Sequence, residues 1–232
     1  MTNHIKHHPK NLNGRDFFTT DIHGHFDLLH EQMRLHAFDT SKDRLFIGGD
    51  NCDRGPNSNW ILDYIYEPWF ISVRGNHEEM VLAYIEALAA GDERDARQPF
   101  EMLYFNGGQW FFDITEKKQL EIYQAFKELP LAIELESRSG VKVGIVHAEV
   151  PYNDWEIFKK TTNAELVWNA QAVAQWARSK YDRTNTDNVK NIDVVYVGHT
   201  PTQSGNVESL GNVRYSDVGS FFRNKLSFQE II

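Results

Sequence analysis

Six side chains of types that bind metal ions follow five short apolar runs in this sequence. They are Asp21, His23, Asp50, Asn76, His147 and His199. Each run is rich in β-branched or aromatic residues and breaks into a polar or glycine-containing segment, as a buried strand does at its end. Ligands of open α/β sheets bind where the carboxyl ends of strands converge. The pattern therefore predicts that these side chains meet in one crevice as a two-metal hydrolytic centre.

The chemistry of this ligand set indicates which metals it suits. Carboxylates, imidazoles and a carboxamide, without thiolate, favour Mn²⁺, Fe or Zn²⁺ over a structural zinc or a calcium cage. Six ligands suffice for two divalent metal ions if one carboxylate bridges them, and Asp50 is the candidate bridge. Mn²⁺ is the metal we expect. Two ions roughly 3.5–4 Å apart can hold a bridging hydroxide, so the expected reaction is its attack on the phosphorus of a phosphoester.

The neighbours of the candidate ligands could complete this reaction. Arg54 and Arg74 carry planar guanidinium groups that match phosphate oxygens and could stabilise the transition-state charge. His77 adjoins the candidate ligand Asn76 without being needed as a ligand itself, and it could protonate the departing alkoxide. A carboxylate such as Asp53 would orient its ring. Hydrolysis would then need no covalent intermediate.

These residues lie in five blocks of sequence. The blocks are DIHGH at 21–25, GDNCDRG at 49–55, RGNHEE at 74–79, VHAEVP at 146–151 and GHTP at 198–201. In order and spacing they resemble the signature motifs of the phosphoprotein phosphatases within the calcineurin-like metallophosphoesterases. The likeness is strongest to the bacteriophage-lambda type serine/threonine protein phosphatases. It continues between the blocks, as in NGGQWFF at 106–112 and LVWNA at 166–170, and covers nearly the whole chain.

The resemblance implies a role for each matching residue. One metal ion would be held by Asp21, His23 and Asp50, and the other by Asp50, Asn76, His147 and His199. The remaining roles would fall to His77 as general acid, Asp53 as its partner, and Arg54 and Arg74 on phosphate. These roles agree with those that the chemistry of the residues suggests.

The chain departs from the family pattern at two positions. The first block usually begins with glycine, where this chain has Thr20. The close relatives also carry an arginine two positions after the tryptophan of the LVWNA block, where this chain has Ala170. A third arginine on phosphate is therefore missing at that position. Whether Arg178, two helical turns further on, compensates for it is open.

Composition sets bounds on the class of protein. The 232 residues are 41% hydrophobic, and we expect a single catalytic domain over 1–232 with 1–12 as a flexible N-terminus. A net charge of −9 argues against nucleic acid as a partner. Neither an 18-residue apolar stretch nor a signal-peptide pattern occurs, which predicts a cytoplasmic protein with no membrane association. The resemblance implies that it is of bacterial or phage type. The oligomeric state stays open.

Apolar runs alternate with helical stretches along the chain. Helices are predicted over 26–37, 57–66, 76–90, 116–128 and 163–180. The charged segment 91–99 is expected to be a solvated loop. Short strands late in the chain, near 206–209, 213–215 and 226–231, indicate a second sheet. The expected fold is therefore α/β, with two mixed β-sheets packed as a sandwich, flanked by helices, and the dimetal site at the strand C-terminal ends.

Three functions are compatible with this sequence. The leading one is metal-dependent hydrolysis of phosphomonoesters by a serine/threonine protein phosphatase, whose substrates would be phosphorylated proteins or small phosphoesters. The second is a dinucleoside-polyphosphate hydrolase on the same fold, since a fold does not determine its substrate. Relatives of that kind tend to lose the aspartate that this chain keeps as Asp53. The third, motivated by Ala170, is a weakened phosphoprotein-binding module, which the retained ligands and His77 argue against.

Overall fold

The computed structural model of the chain describes residues 4–91, 93–161 and 164–232. The strands in this part of the chain are β1 Ile5–His8, β2 Asp16–Thr19, β3 Arg44–Ile47, β4 Phe70–Ser72, β5 Ala132–Glu136, β6 Lys142–Val146, β7 Val194–Val197, β8 Glu208–Leu210, β9 Val213–Tyr215 and β10 Gln229–Ile231. The α-helices are α1 Phe26–Leu35, α2 Ile61–Tyr64, α3 Asn76–Ala89, α4 Glu93–Phe105, α5 Glu116–Lys127, α6 Trp155–Lys160, α7 Ala164–Trp176, α8 Ser179–Asp182 and α9 Ser220–Arg223. Short 3₁₀ helices cover Ser58–Trp60, Gly108–Phe112 and Pro151–Asn153.

The strands form two mixed sheets. The six-stranded sheet has the order β1-β5-β6-β7-β9-β8, with parallel pairs β1–β5, β6–β7 and β7–β9 and antiparallel pairs β5–β6 and β8–β9. The four-stranded sheet has the order β10-β2-β3-β4, in which β2, β3 and β4 are parallel and β10 is antiparallel to β2. The predicted α/β fold with two mixed sheets flanked by helices is confirmed.

Apolar side chains from both sheets fill the space between them. Phe18 and Phe46 of the four-stranded sheet cluster with Ile133 and Ile145 of the six-stranded sheet, and all four are fully buried. Alternate residues of a strand point to opposite faces, so each sheet also has an outer apolar face. Helices α1, α3 and α5 cover that of the four-stranded sheet, and α6 and α7 cover that of the six-stranded sheet. Both faces of each sheet are therefore packed, and this packing fixes the positions of the strand ends.

The expectation of a flexible N-terminus over 1–12 is wrong for the part that the structure describes. Strand β1 pairs in parallel with β5, with Ile5 opposite Ala132 and His8 opposite Leu135. The Ile5 side chain is buried in the cluster beneath α6 and α7. Main-chain hydrogen bonds to a neighbouring strand and one buried apolar side chain are enough to order a chain terminus.

The expectation of a solvated loop over 91–99 is also wrong, because α4 begins at Glu93. The reason lies in its apolar face: Ala96 and Leu103 are buried, and α4 packs against α3. The other predicted helices occur with shifted ends. The stretch predicted over 163–180 divides into α7 and α8, and its first residue lies outside the described residues. Within the part of the chain that the structure describes, none of the helices has the length and apolar character that crossing a membrane requires.

Candidate active site

The loops that follow five strands carry the six predicted metal-binding side chains. Asp21 and His23 follow β2, Asp50 follows β3, and Asn76 opens α3 after β4. His147 and His199 follow β6 and β7 of the other sheet. The centre therefore lies where the carboxyl ends of strands from both sheets meet. All six side chains are buried, between 0% and 6% exposed.

The backbone of these loops is strained. Asp21, His23, Asp50 and His199 all adopt left-handed conformations, with φ of +51°, +46°, +53° and +64°. Non-glycine residues in this region cost about 1–3 kcal/mol each and are concentrated at functional sites. Main-chain hydrogen bonds between the loops hold the conformation, including Asp21 N to Gly49 O at 3.1 Å. The left-handed conformation directs each of these side chains towards the centre at the end of its strand.

One half of the centre is a tight group of donor atoms. Asn76 Oδ1 lies 2.8 Å from His147 Nε2 and 2.9 Å from His199 Nδ1, and the two nitrogens are 3.2 Å apart. Asp50 Oδ2 lies 3.4 Å from His147 Nε2. These four side chains present oxygen and nitrogen atoms to one point and could hold a metal ion there.

The other half lies around His23. Its Nε2 is 4.0 Å from Asp21 Oδ1 and 3.8 Å from Asp50 Oδ2. Asp50 Oδ2 thus lies between His23 and His147, which belong to different halves. One carboxylate oxygen that approaches both groups has the placement required of a bridging ligand.

The hydrogen-bond partners of the imidazoles support a fit to cations. His23 Nδ1 lies 3.0 Å from Cys52 O, and His147 Nδ1 lies 2.7 Å from Gly48 O. Because a carbonyl only accepts, each Nδ1 is the donor, and a neutral ring keeps a lone pair on Nε2. The Nε2 lone pair of His147 faces the Asn76 and Asp50 oxygens, which are also acceptors. Such a convergence of acceptors requires protons or a cation.

The pKa shifts of the candidate ligand side chains also indicate a site that favours positive charge. Burial would lower the pKa of His147, but the Asp50 carboxylate outweighs it and raises that pKa to about 9. Burial and the adjacent His147 lower the pKa of His199 to about 3. Burial works against an ionised Asp50, yet His147 and His77 hold its pKa well below the usual range. Asp50 is thus the natural carboxylate to share between two cations.

His77 is the end of a buried hydrogen-bonded chain. Its Nδ1 lies 2.7 Å from Asp53 Oδ2, and Asp53 Oδ1 accepts from Trp110 Nε1 at 2.6 Å. Its Nε2 is buried with no hydrogen-bond partner among the described residues and lies 3.8 Å from Asp50 Oδ2. That atom is therefore aimed at the centre, where it could donate a proton. The same position would also let His77 join His23 and Asp50 around a cation.

The two predicted phosphate-binding arginines differ in their surroundings. Arg54 Nη1 lies 2.9 Å from His23 Nε2, and its guanidinium lies 4.6 Å from the centroid of the Phe221 ring. Arg74 instead donates from Nη1 to Glu79 at 3.2 Å. The structure therefore brings Arg54 to the centre directly, whereas Arg74 is held in an ion pair.

Comparison with known proteins agrees with this geometry. The calcineurin-like phosphoesterase family matches residues 17–216. The chain belongs to this family. It is a metallophosphoesterase, and the family uses a dinuclear metal centre.

Curated relatives of this phosphoesterase include bacterial protein phosphatases. It is 33% identical over 214 residues to serine/threonine-protein phosphatase 2 of Escherichia coli strain K12, over 91% of this chain and 90% of that protein. It is 30% identical over 214 residues to serine/threonine-protein phosphatase 1 of Salmonella typhimurium, over 91% of this chain and 89% of that protein. A symmetrical bis(5'-nucleosyl)-tetraphosphatase of Serratia proteamaculans matches only 81 residues at 35% identity, 34% of this chain and 29% of that protein.

Solved structures share the fold of this phosphoesterase. A cold-active protein-tyrosine phosphatase of a psychrophilic Shewanella species superposes with a TM-score of 0.61 and 18% identity, over 97% of this chain and 76% of that chain. A protein serine/threonine phosphatase from Saccharomyces cerevisiae superposes with a TM-score of 0.55 and 16% identity, over 91% of this chain and 70% of that chain. At these identities the likeness concerns the fold.

Sequence reasoning missed two residues that shape the centre of this phosphoesterase. The buried Glu78 carboxylate accepts from the backbone N–H groups of Asp50, Asn51 and Gly75 at 3.0, 2.8 and 2.7 Å. Trp110 is the second, through its bond to Asp53. A glutamate three residues after a helix N-cap is a known capping signal, so Glu78 could have been found. Nothing local in the sequence connects Trp110 with Asp53.

Gly107, in the NGGQWFF segment at 106–112, supports Arg54. Its backbone oxygen accepts from Arg54 N at 3.1 Å, and its φ of +99° lies in the left-handed region. A Cβ atom here would lie 2.6 Å from Arg54 N. Any other residue would therefore push the Arg54 loop away from the centre.

The structure shows where Ala170 and Arg178 lie. Ala170 is 2% exposed and packs in the core beneath α7, so its Cβ does not lie in an open crevice. Arg178, between α7 and α8, places Nε 3.1 Å from His199 Nε2. Arg178 therefore reaches a candidate ligand, although its distance along the sequence did not predict this.

Proposed function

We propose that this protein is a serine/threonine protein phosphatase that hydrolyses phosphomonoesters with two divalent metal ions. The observation that carries the proposal is the position of Asp50 Oδ2, 3.8 Å from His23 Nε2 and 3.4 Å from His147 Nε2. A shared carboxylate between two buried donor groups is what a dinuclear hydrolytic site requires. The bacterial serine/threonine protein phosphatases that match over 214 residues support the substrate class.

The donor atoms suit two ions of the Mn²⁺, Fe or Zn²⁺ kind, and Mn²⁺ is our proposal. Asp21, His23 and Asp50 would hold one, and Asp50, Asn76, His147 and His199 the other. When bound, such ions lower the pKa of a coordinated water and neutralise phosphate oxygens. The protein contributes fixed orientation, since Gly48 O and Cys52 O hold the two rings in place.

His77 is proposed to deliver the proton that the leaving alkoxide needs. Its Nε2 is buried and aimed at the centre, and Asp53 and Trp110 fix the ring from behind. The carboxylate beside Nδ1 orients the ring so that Nε2, the atom that would donate the proton, faces the centre. Arg54 and Arg74 are proposed to bind phosphate oxygens, with Arg54 the nearer to the centre.

A dinucleoside-polyphosphate hydrolase is the second candidate. It is favoured by partial matches to bis(5'-nucleosyl)-tetraphosphatases, which cover between 34% and 45% of the chain. The presence of Asp53 in contact with His77 supports the phosphatase instead, because general-acid catalysis by His77 depends on that contact. The convergence of the six candidate ligand side chains argues against a phosphoprotein-binding module without activity.

The test is hydrolysis of matched substrates by the Mn²⁺-loaded protein. We expect turnover of p-nitrophenyl phosphate and of a phosphoserine or phosphothreonine peptide, at higher kcat/KM than of diadenosine tetraphosphate. Removal of metal with a chelator should abolish all three activities, and added Mn²⁺ should restore them. Preference for diadenosine tetraphosphate would favour the second candidate. Binding of the phosphopeptide without turnover would favour the binding module.

A further inference from the structure

Two arginines contact imidazoles that belong to different halves of the centre. Arg54 Nη1 lies 2.9 Å from His23 Nε2, and its guanidinium covers the exposed ring of Phe221. Arg178 Nε lies 3.1 Å from His199 Nε2, and the exposed ring of Trp176 lies 6.5 Å from the His199 ring. His23 and His199 belong to different halves of the centre. The guanidinium groups thus approach it from two directions.

Arg54 and Arg178 differ from Arg74 in their ion pairing. Among the described residues, no aspartate or glutamate forms an ion pair with Arg54 or Arg178, whereas Arg74 pairs with Glu79 at 3.2 Å. Both Arg54 and Arg178 are exposed, so their charges face solvent at the edge of the centre. A guanidinium without a carboxylate is available to bind a phosphate oxygen.

Each arginine contact uses a lone pair on an imidazole Nε2, which a cation bound to the same neutral ring would make unavailable. A neutral His199 that offers Nδ1 to a cation carries its proton on Nε2, and this nitrogen can then no longer accept from Arg178. A cation held by His23 Nε2 would likewise take the lone pair that faces Arg54. With both ions bound, neither guanidinium would keep its imidazole acceptor. Both would then lie at the centre, available to phosphate oxygens.

We propose that Arg178 is a substrate-binding residue that contacts the phosphoryl oxygens opposite Arg54. Arg74, held by Glu79, contributes less than either. The proposal rests on the proposed phosphatase function, since it concerns the substrate of the same centre. It assigns phosphate recognition to the short segment between α7 and α8, which carries none of the candidate metal ligands.

The experiment compares Arg178→Ala and Arg178→Lys with Arg183→Ala, a matched control that removes an exposed arginine just after α8. The readouts are calorimetric binding of inorganic phosphate to the Mn²⁺-loaded protein, Mn²⁺ content, and kcat/KM for a phosphopeptide. We expect Arg178→Ala to weaken phosphate binding about 10- to 100-fold, the effect of losing one charged hydrogen bond, with unchanged Mn²⁺ content. Arg178→Lys should recover part of the loss, and Arg183→Ala should bind like wild type.

Two results would overturn the proposal. Phosphate binding by Arg178→Ala at wild-type affinity would show that the guanidinium does not contact phosphate. Loss of Mn²⁺ from Arg178→Ala would show that Arg178 acts by holding His199 instead. The two proposals can fail separately. A wild-type protein that binds phosphate through Arg178 but hydrolyses no phosphoester would contradict the proposed function. An active wild type whose Arg178→Ala variant binds phosphate with unchanged affinity would contradict only this inference.

Discussion

Trp110 donates its indole N–H to Asp53 Oδ1 at 2.6 Å, across 57 positions of sequence. The second oxygen of the same carboxylate lies 2.7 Å from His77 Nδ1. Asp53 is fully buried, and a buried carboxyl group needs hydrogen-bond partners such as these two. Trp110 therefore fixes the imidazole indirectly and acts as a positioning residue for His77.

Replacing Trp110 with Phe should test this positioning role. The substitution keeps an aromatic ring but removes the donor to Asp53, so kcat for a phosphopeptide should fall about tenfold, while KM and Mn²⁺ content stay near wild type. The measurement is steady-state kinetics, with the exposed Trp60→Phe as matched control. A Trp110→Phe enzyme whose KM rises while kcat is unchanged would contradict the role.

Replacing His77 with Asn should separate a general acid from a metal ligand. We expect kcat on a poor leaving group to fall roughly 10²–10⁴-fold, the usual contribution of one acid–base residue. With p-nitrophenyl phosphate the loss should be smaller, because that leaving group hardly needs a proton. Metal analysis should still find about two ions per chain. The control is His30→Asn, on the exposed side of α1.

A loss of one metal ion from the His77→Asn protein would show that His77 is a ligand. That outcome would agree with its distance of 3.8 Å from Asp50 Oδ2, so the measurement decides between two placements that the geometry allows.

Replacing Glu78 with Gln should weaken the Asp50 loop. The carboxylate accepts from three backbone N–H groups and holds the left-handed turn at Asp50. A neutral amide accepts these bonds less strongly, so we expect Mn²⁺ affinity to fall about 10- to 100-fold, as for other groups that orient ligands. Equilibrium dialysis measures this, with Glu86→Gln on the same helix as control. Unchanged affinity would mean that the turn is stable without the charge.

The convergence of six side chains could be predicted from the sequence because it follows from one local pattern repeated five times. A short apolar run that ends in Asp, Asn or His places that side chain at the carboxyl end of a strand, whichever sheet the strand joins. The pattern does not say that β2, β3 and β4 lie in one sheet and β6 and β7 in the other. Pairing between strands distant in sequence decides this.

The features that the sequence did not predict share one cause, which is that they depend on contacts with residues distant in the sequence. Strand β1 is polar at Lys6 and His7, and its order comes from pairing with β5, more than 120 residues later. The charged start of α4 has the sequence pattern of a loop, and it is helical because α4 buries Ala96 and Leu103 and packs against α3. Arg178 likewise reaches His199 only because the segment after α7 returns to the centre.

Ala170→Arg, which would restore the family arginine, should destabilise this protein. Ala170 is 2% exposed in a packed core, so a guanidinium there must be buried or must distort α7. We expect the free energy of unfolding to fall by about 3 kcal/mol. Asn169→Arg, at the exposed neighbouring position, should change it by less than about 0.5 kcal/mol. Urea unfolding measures both.

A stable Ala170→Arg protein with tighter phosphate binding would contradict this expectation. It would mean that the core beneath α7 opens towards the centre and that the position can hold an arginine after all.

Metal stoichiometry tests whether Asp50 bridges two metal ions. Equilibrium dialysis of the metal-free protein against Mn²⁺ should find two ions per chain for wild type. It should find about one for the His23→Ala variant, because His23 belongs to only one half of the centre. Asp50→Asn should bind neither ion tightly, because the bridging carboxylate serves both, and it should be inactive. An Asp50→Asn protein that binds one ion with wild-type affinity, or a wild type that saturates at one ion, would contradict the account.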